Sequence, residues 1–235
     1  MLVFAAGLIL SGCASTSGSA TGDNDPFEHT NRQVFAFNQD LDKAVALPVA
    51  KFYVRTVPDP AREGVHNFLT NLNDPVVFAN DVLQGQVEHA SQTLGRFGVN
   101  STLGIGGLID VAAKMGIPGH DTDFGITLGR WGFGEGPFLM LPLLGPAPPR
   151  DLIGKVVDIF LDPLTYVSFR SKIYYDIGIN TMGVIDLRAQ NIGTLESIER
   201  TSVDFYATTR NLYLQYRKAQ VNRGRPAKDE DLPDF

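Results

Sequence analysis

The chain lacks most of what would cross-link it, thread it through a bilayer or equip it for common catalysis. One cysteine occurs among 235 residues, so no intramolecular disulfide can form. A chain without such staples must rely on its core, and this length suffices for one domain with a substantial core. No run of eighteen apolar residues exists, so no conventional membrane-spanning helix is expected. Positive charge is scarce: Lys and Arg total 20 against 26 Asp and Glu, a net charge of −6. That argues against nucleic acid, which needs a basic face. No two of the histidines, His29, His66, His89 and His120, have the spacing that places a metal-binding pair on one helix. No Gly-x-Ser-x-Gly elbow occurs, which removes support for an α/β-hydrolase nucleophile. Gly104-Ile105-Gly106-Gly107 lacks the lysine and strand context of a phosphate-binding loop. No repeat at solenoid spacing is present. Lys and Arg are also missing ahead of the apolar N-terminus, which predicts that the natural start lies upstream.

What is present begins with that N-terminus. Met1 to Leu10 is almost wholly apolar and runs into Leu10-Ser11-Gly12-Cys13. An apolar stretch closed by Leu-small-Gly-Cys is the signature of a bacterial lipoprotein signal. Residues 1–12 are read as the signal peptide, too short for a lasting span, and Cys13 as the acylated residue. The alternative is a chance apolar N-terminus with a buried cysteine. Several acyl chains, at about 0.8 kcal/mol per buried methylene, give stable anchoring. Ala14 rather than Asp follows Cys13, which in enteric-type sorting points to the outer membrane. Residues 13–24 form a Ser/Thr/Gly/Ala-rich tether.

Residues 25–221 then read as one domain of short helices. Asp25-Pro26-Phe27-Glu28 resembles a capping box, and Phe27, Val34, Phe37, Leu41 and Val45 fall on one stripe. Further helices are expected from Pro60 to Leu72, from Asp74-Pro75 to Leu83, from Val87 to Phe97, and around Leu108 to Met115. Arg150 to Phe160, Lys172 to Arg188 and Glu196 to Val221 follow. The charged tail, 222–235, is expected to be disordered.

Two segments stand apart. Phe124 to Pro149 carries six Gly and five Pro but only two charges, Arg130 and Glu135. It is read either as a loop buried in the core or as an apolar hairpin facing lipid or lining a cavity. Gly132 and Gly134 are candidate hinges for it. On the last helix, Arg210 and Arg217 project from a wide apolar arc. Either they pair with internal carboxylates such as Asp110, Asp151 or Asp158, or they recognise a phosphate headgroup. His120-Asp121-Thr122-Asp123 could be a ligand cluster, but reads more simply as a solvated turn.

Ordered marks run along nearly the whole chain. They include Asp25-Pro26-Phe27-Glu28-x-x-Asn31-Arg32, Phe35-x-Phe37-Asn38, Asn71-Leu72-x-x-Pro75 and Leu83-Gln84-Gly85. Gly107-x-x-Asp110-Val111-Ala112, Phe124-Gly125-x-Thr127-Leu128-Gly129, Gly132-x-Gly134-x-Gly136-Pro137, Arg150-Asp151 and Tyr206-x-x-x-Arg210-x-x-Tyr213-x-Gln215 follow. With the lipobox, the chain resembles the MlaA/VacJ family of outer-membrane phospholipid-transport lipoproteins. The resemblance implies an all-α, single-domain ring of helices lying in the inner leaflet of the outer membrane, with an amphipathic central channel. It implies removal of phospholipid misplaced in the outer leaflet, passage to a periplasmic phospholipid carrier (MlaC-like), and association with a trimeric porin. It implies no enzyme activity and no cofactor. Phe35, Phe37 and Asn38 fall where the family's leaflet-facing ridge and gate are expected. Two rivals stay open: a structural envelope lipoprotein without transport, and a lipid-acting hydrolase.

Overall fold

Proline, glycine and Asp caps set most helix limits in the computed structural model, which describes residues 25–223. Cys13, the signal peptide, the tether and all but the first two residues of the tail lie outside them. α1 (Glu28–Leu41) passes through a π-helical turn, Asp42–Ala46, into α2 (Leu47–Thr56). Pro48 does not interrupt this run, because it sits in the first turn of α2, where its missing N–H costs nothing. Nor does Asp25 cap α1. Its carboxylate is buried and accepts from Asn31 Nδ2 at 2.8 Å and Arg210 Nη1 at 3.1 Å, while Glu28 pairs with Arg32. The expected capping box is therefore absent.

α3 (Asp59–Leu83) is one helix of 25 residues where two were expected. Pro75 lies inside it: the proline removes one backbone bond, and the packed partner α4 (Val87–Thr102) holds the helix together across that gap. Gly85, at φ +70°, makes the tight turn between them. α5 (Val111–Lys114) is shorter than expected and is capped by Asp110. α6 (Phe124–Arg130), capped by Asp123, lies in the segment expected to be irregular. Beyond it, β1 (Met140–Leu141) pairs antiparallel with β2 (Gly145–Pro146) to form a small hairpin. α7 (Pro149–Leu161), a 3₁₀ turn at Pro163–Tyr166 and α8 (Lys172–Gln190) follow. The expected last helix is two, α9 (Ile192–Thr201) and α10 (Phe205–Asn222). They are split where the Asp204 carboxylate caps α10, accepting from Ala207 N at 3.0 Å. α6 and α7 cross so closely that a Cβ on Gly154 would lie 2.3 Å from the Gly125 nitrogen.

Burial is inverted relative to a water-soluble domain. Among the described residues, twelve apolar side chains are buried against seventeen polar or charged ones, while thirty-four large apolar side chains are exposed. On α7, Ile153, Val156 and Phe160 form an exposed stripe, and Ile173, Tyr174 and Ile177 continue the apolar exterior on α8. The stripe expected on α1 divides: Phe27, Phe37 and Val45 are each about half exposed, while Val34 and Leu41 are partly buried and Val34 packs on the core around Phe138. Apolar surface on this scale marks a protein or membrane contact. Among the described residues no helix is long and apolar enough to cross a membrane.

Candidate functional site

The polar interior is built from ion pairs and amide clamps. Arg217 is the largest hub. Its Nε and Nη2 donate to the two oxygens of Asp151 at 2.9 and 2.8 Å, and Nη1 and Nη2 donate to Asp123 at 2.6 and 2.9 Å. Tyr213 donates its hydroxyl to Asp151 at 2.6 Å. Burial would raise the Asp151 pKa, but Arg217 and Tyr213 outweigh it and hold the carboxyl below the usual range. Arg210 is buried against Asp25. The internal-pairing alternative thus describes both arginines as they stand in the structure; Asp151 was among the carboxylates expected, Asp25 and Asp123 were not.

Asparagines clamp the hairpin onto α1. Asn31 donates to the Phe138 carbonyl at 3.0 Å and accepts from Met140 N at 2.9 Å. Asn38 repeats this one helical face further on, donating to the Leu141 carbonyl at 2.9 Å and accepting from Leu143 N at 2.8 Å. Phe138 is fully buried, edge-on to Tyr206 and Tyr213. Both sequence readings of this segment therefore hold in part. Phe138 and Met140 are core, while the tip, Leu143 and Leu144, is exposed, with Leu143 in the left-handed region at φ 67°. Of the hinge candidates, Gly132 is at φ +97°, and Gly134 has no such requirement and open space around it. Phe35, Phe37 and Asn38 part company: Phe35 packs on Phe205 and Tyr206, Phe37 faces outward, and Asn38 holds the hairpin.

The hairpin tip walls an apolar cavity of about 480 Å³ together with Leu41, Val184, Leu187 and Leu195. Asn38, Asp42, Arg188 and Asn191 add polar groups to its wall. Arg188 donates from Nε and Nη2 to Asp42 at 2.7 and 2.9 Å, while its buried Nη1 has no hydrogen-bond partner. A second cavity of about 230 Å³ shares Leu187 with the first and is otherwise more polar, including His66, Thr70 and Asp74. Those three residues in turn line a polar cavity of about 270 Å³ that adds Asn71, Arg96 and Asp110. Arg96 donates to Asp110 at 2.7 Å, and Asp74 Oδ2 is buried without a partner. Burial pushes the Asp74 carboxyl up to about 6, against the pull of Arg96. The three cavities are thus neighbours with common wall residues, apolar at one end and polar at the other.

The turn at His120 is not simply solvated. His120 Nε2 lies 2.9 Å from Asp81 Oδ1, Thr122 is buried and accepts from Gln84, and Asp123 caps α6 and pairs with Arg217. Only Asp121 of the four is exposed.

The MlaA lipoprotein family model matches residues 23–220. The chain belongs to the MlaA lipoprotein family. It is 35% identical over 240 residues to the intermembrane phospholipid transport system lipoprotein MlaA of Escherichia coli (strain K12), covering 97% of this chain and 94% of that protein. The Haemophilus influenzae protein of the same name is 32% identical over 234 residues, covering 97% and 92%. A solved structure concerned with the structural basis for maintenance of bacterial outer membrane lipid asymmetry superposes with a TM-score of 0.76. It is 35% identical and covers 84% of this chain and 99% of that one. The MlaA family marks fall on the structural hubs: Asp25, Asn31, Asp110, Gly125, Asp151 and Arg210 all serve buried hydrogen bonds or close approaches. Arg188, Asp42 and Leu187 were missed by sequence reasoning. The two that pair are 146 positions apart, and no local pattern announces them.

Proposed function

We propose that this chain carries phospholipid through its interior, removing it from the outer leaflet of the outer membrane and passing it toward the periplasm. The observation that carries this reading is the series of neighbouring cavities that share Leu187, His66, Thr70 and Asp74 in their walls, apolar at one end and polar at the other. A molecule with acyl tails and a charged head needs both. The buried, unpartnered Nη1 of Arg188 becomes a donor for a phosphate oxygen at the apolar end once a side-chain movement uncovers it, and guanidinium suits that anion. Arg210 and Arg217 are committed to carboxylates, so the headgroup role moves from them to Arg188. The inverted exterior suits a helical ring seated in one leaflet, tethered through acylated Cys13 on the periplasmic side. Recipients of the expected kind are a periplasmic carrier and a trimeric porin neighbour.

A hydrolase is less well supported. His66 and His120 each face an aspartate, but the nearby Thr93 hydroxyl is engaged by Asp81 and the His89 carbonyl rather than by an imidazole that could activate it. A purely structural lipoprotein would have no use for a graded interior. Outer-leaflet phospholipid, measured in cells with and without this chain, tests the reading. Loss should raise it, and Arg188→Leu should raise it in a stably expressed chain. Unchanged levels on loss of the chain would sink the transport role.

A further inference from the structure

Three ligand-type side chains converge beside the polar end of the cavity series, whose wall His120 shares. Asp81 ends the long helix α3, His89 stands in the first turn of α4, and His120 lies in the loop before α6. One donor atom from each lies within 4.8 Å of the others. His120 Nε2 is 2.9 Å from Asp81 Oδ1, and the two imidazole rings are 4.6 Å apart at 36°. Gly85, at φ +70°, turns the chain so that positions 81 and 89 face each other; the loop brings 120 across.

We propose that Asp81, His89 and His120 bind a zinc ion that pins these three elements together. Two imidazoles and a carboxylate are a ligand set that zinc takes, with water in the fourth position. Tetrahedral bonds of about 2.0–2.1 Å place ligand atoms roughly 3.3 Å apart. The Asp81–His120 pair would open by a few tenths of an ångström, and His89 would close by a side-chain rotation. The carboxylate is already oriented. Thr93 donates its hydroxyl to Asp81 Oδ2 at 2.8 Å, leaving Oδ1 toward the imidazoles, as outer-shell partners do around metals. Asp81 is wholly buried, and a buried carboxylate is tolerable only with a cationic or strongly donating partner. Zinc supplies more charge there than one imidazole, and without the like-charge cost of protonating two adjacent rings. The loop so pinned carries Thr122 and Asp123, which hold Gln84 and Arg217. In a chain with one cysteine, a metal replaces the disulfide that cannot form. Sequence inspection misses the site because its ligands come from three elements. Zinc binding here does not depend on lipid passage, although His120 also lines the polar cavity.

The test uses the full chain, purified in detergent without a histidine tag, stripped with chelator and titrated with ZnCl2 by calorimetry. One zinc per chain and a raised thermal midpoint, reversed by chelator, are expected. His89→Gln, half-exposed and remote from the ion-pair hubs, should keep wild-type helix content and lose at least about tenfold in zinc affinity. Cobalt in place of zinc should give the visible bands of a tetrahedral N/O site. Wild-type protein that takes up no zinc, a folded His89→Gln that binds as tightly as wild type, or cobalt lacking tetrahedral bands would each overturn the proposal.

Discussion

At the scale of single residues, the interior is stabilised by charges that have no water to retreat to. Arg217 shows the consequence. Removing one partner of a buried pair leaves the other uncompensated, which costs about 3–5 kcal/mol. Arg217→Met leaves buried Asp151 with only Arg150 and Tyr213 and removes the ion pair of the partly exposed Asp123, and it should lower unfolding free energy by up to that order, read by denaturant titration of helix content in detergent. Arg217→Lys should recover only part, because an ammonium cannot form the two-sided fork seen here. A loss under about 1 kcal/mol would mean the hub is not essential. Asp74 behaves oppositely. Its carboxyl is pushed up to about 6 from 3.8, by burial first, with Asp110 and Asp121 adding to the rise and Arg96 and His120 opposing it. Folding therefore favours the protonated form. That contribution is complete below about pH 4 and is lost as pH rises through about 6. Asp74→Asn should raise the thermal midpoint at pH 8 by about 2–6 °C, on the order of 1–2 kcal/mol after screening. At pH 4 the gain should vanish. An equal gain at both values would contradict the titration argument.

At the scale of elements, helix existence was legible in the sequence, and helix joins were not. Asp-Pro pairs and apolar spacing located nearly every helix. Pro75 suggested a boundary because its local cost is visible in sequence, whereas the packing of α4 against α3 that overrides it is not. Ser202 to Asp204 hid a boundary for the reverse reason: apolar spacing continues across it while the Asp204 cap restarts the helix. The hairpin was recognised by its glycines and prolines, but its clamps depend on Asn31 and Asn38, over a hundred positions away. These clamps and the buried Phe138 fix residues 138–141 to α1, so any movement belongs to the tip. The two hinge candidates then separate. Gly132 at φ +97° would force a β-branched residue into strain of about 1–3 kcal/mol. Gly132→Val should lower the thermal midpoint, and Gly134→Val should leave both stability and outer-leaflet phospholipid at wild-type values. A transport defect in a stable Gly134→Val chain would restore Gly134 as a moving part.

At the scale of the whole molecule, the arrangement is a polar interior inside an apolar exterior, with cavities running from greasy to wet. The family and the all-α class were readable from ordered marks. The site was only partly so: Asn38 was found, with a clamping role, while Arg188, Leu187 and the cavity walls come together only in three dimensions. The transport role requires phospholipid to enter this interior. A photo-crosslinking amino acid placed in living cells at Thr70, in the walls of the two more polar cavities, tests it most directly, with Phe160 on the apolar exterior as the control. Mass spectrometry of the purified chain should find phospholipid adducts at Thr70 as well as at Phe160. Adducts at Phe160 with none at Thr70, in a folded and membrane-localised chain, would contradict passage through the interior.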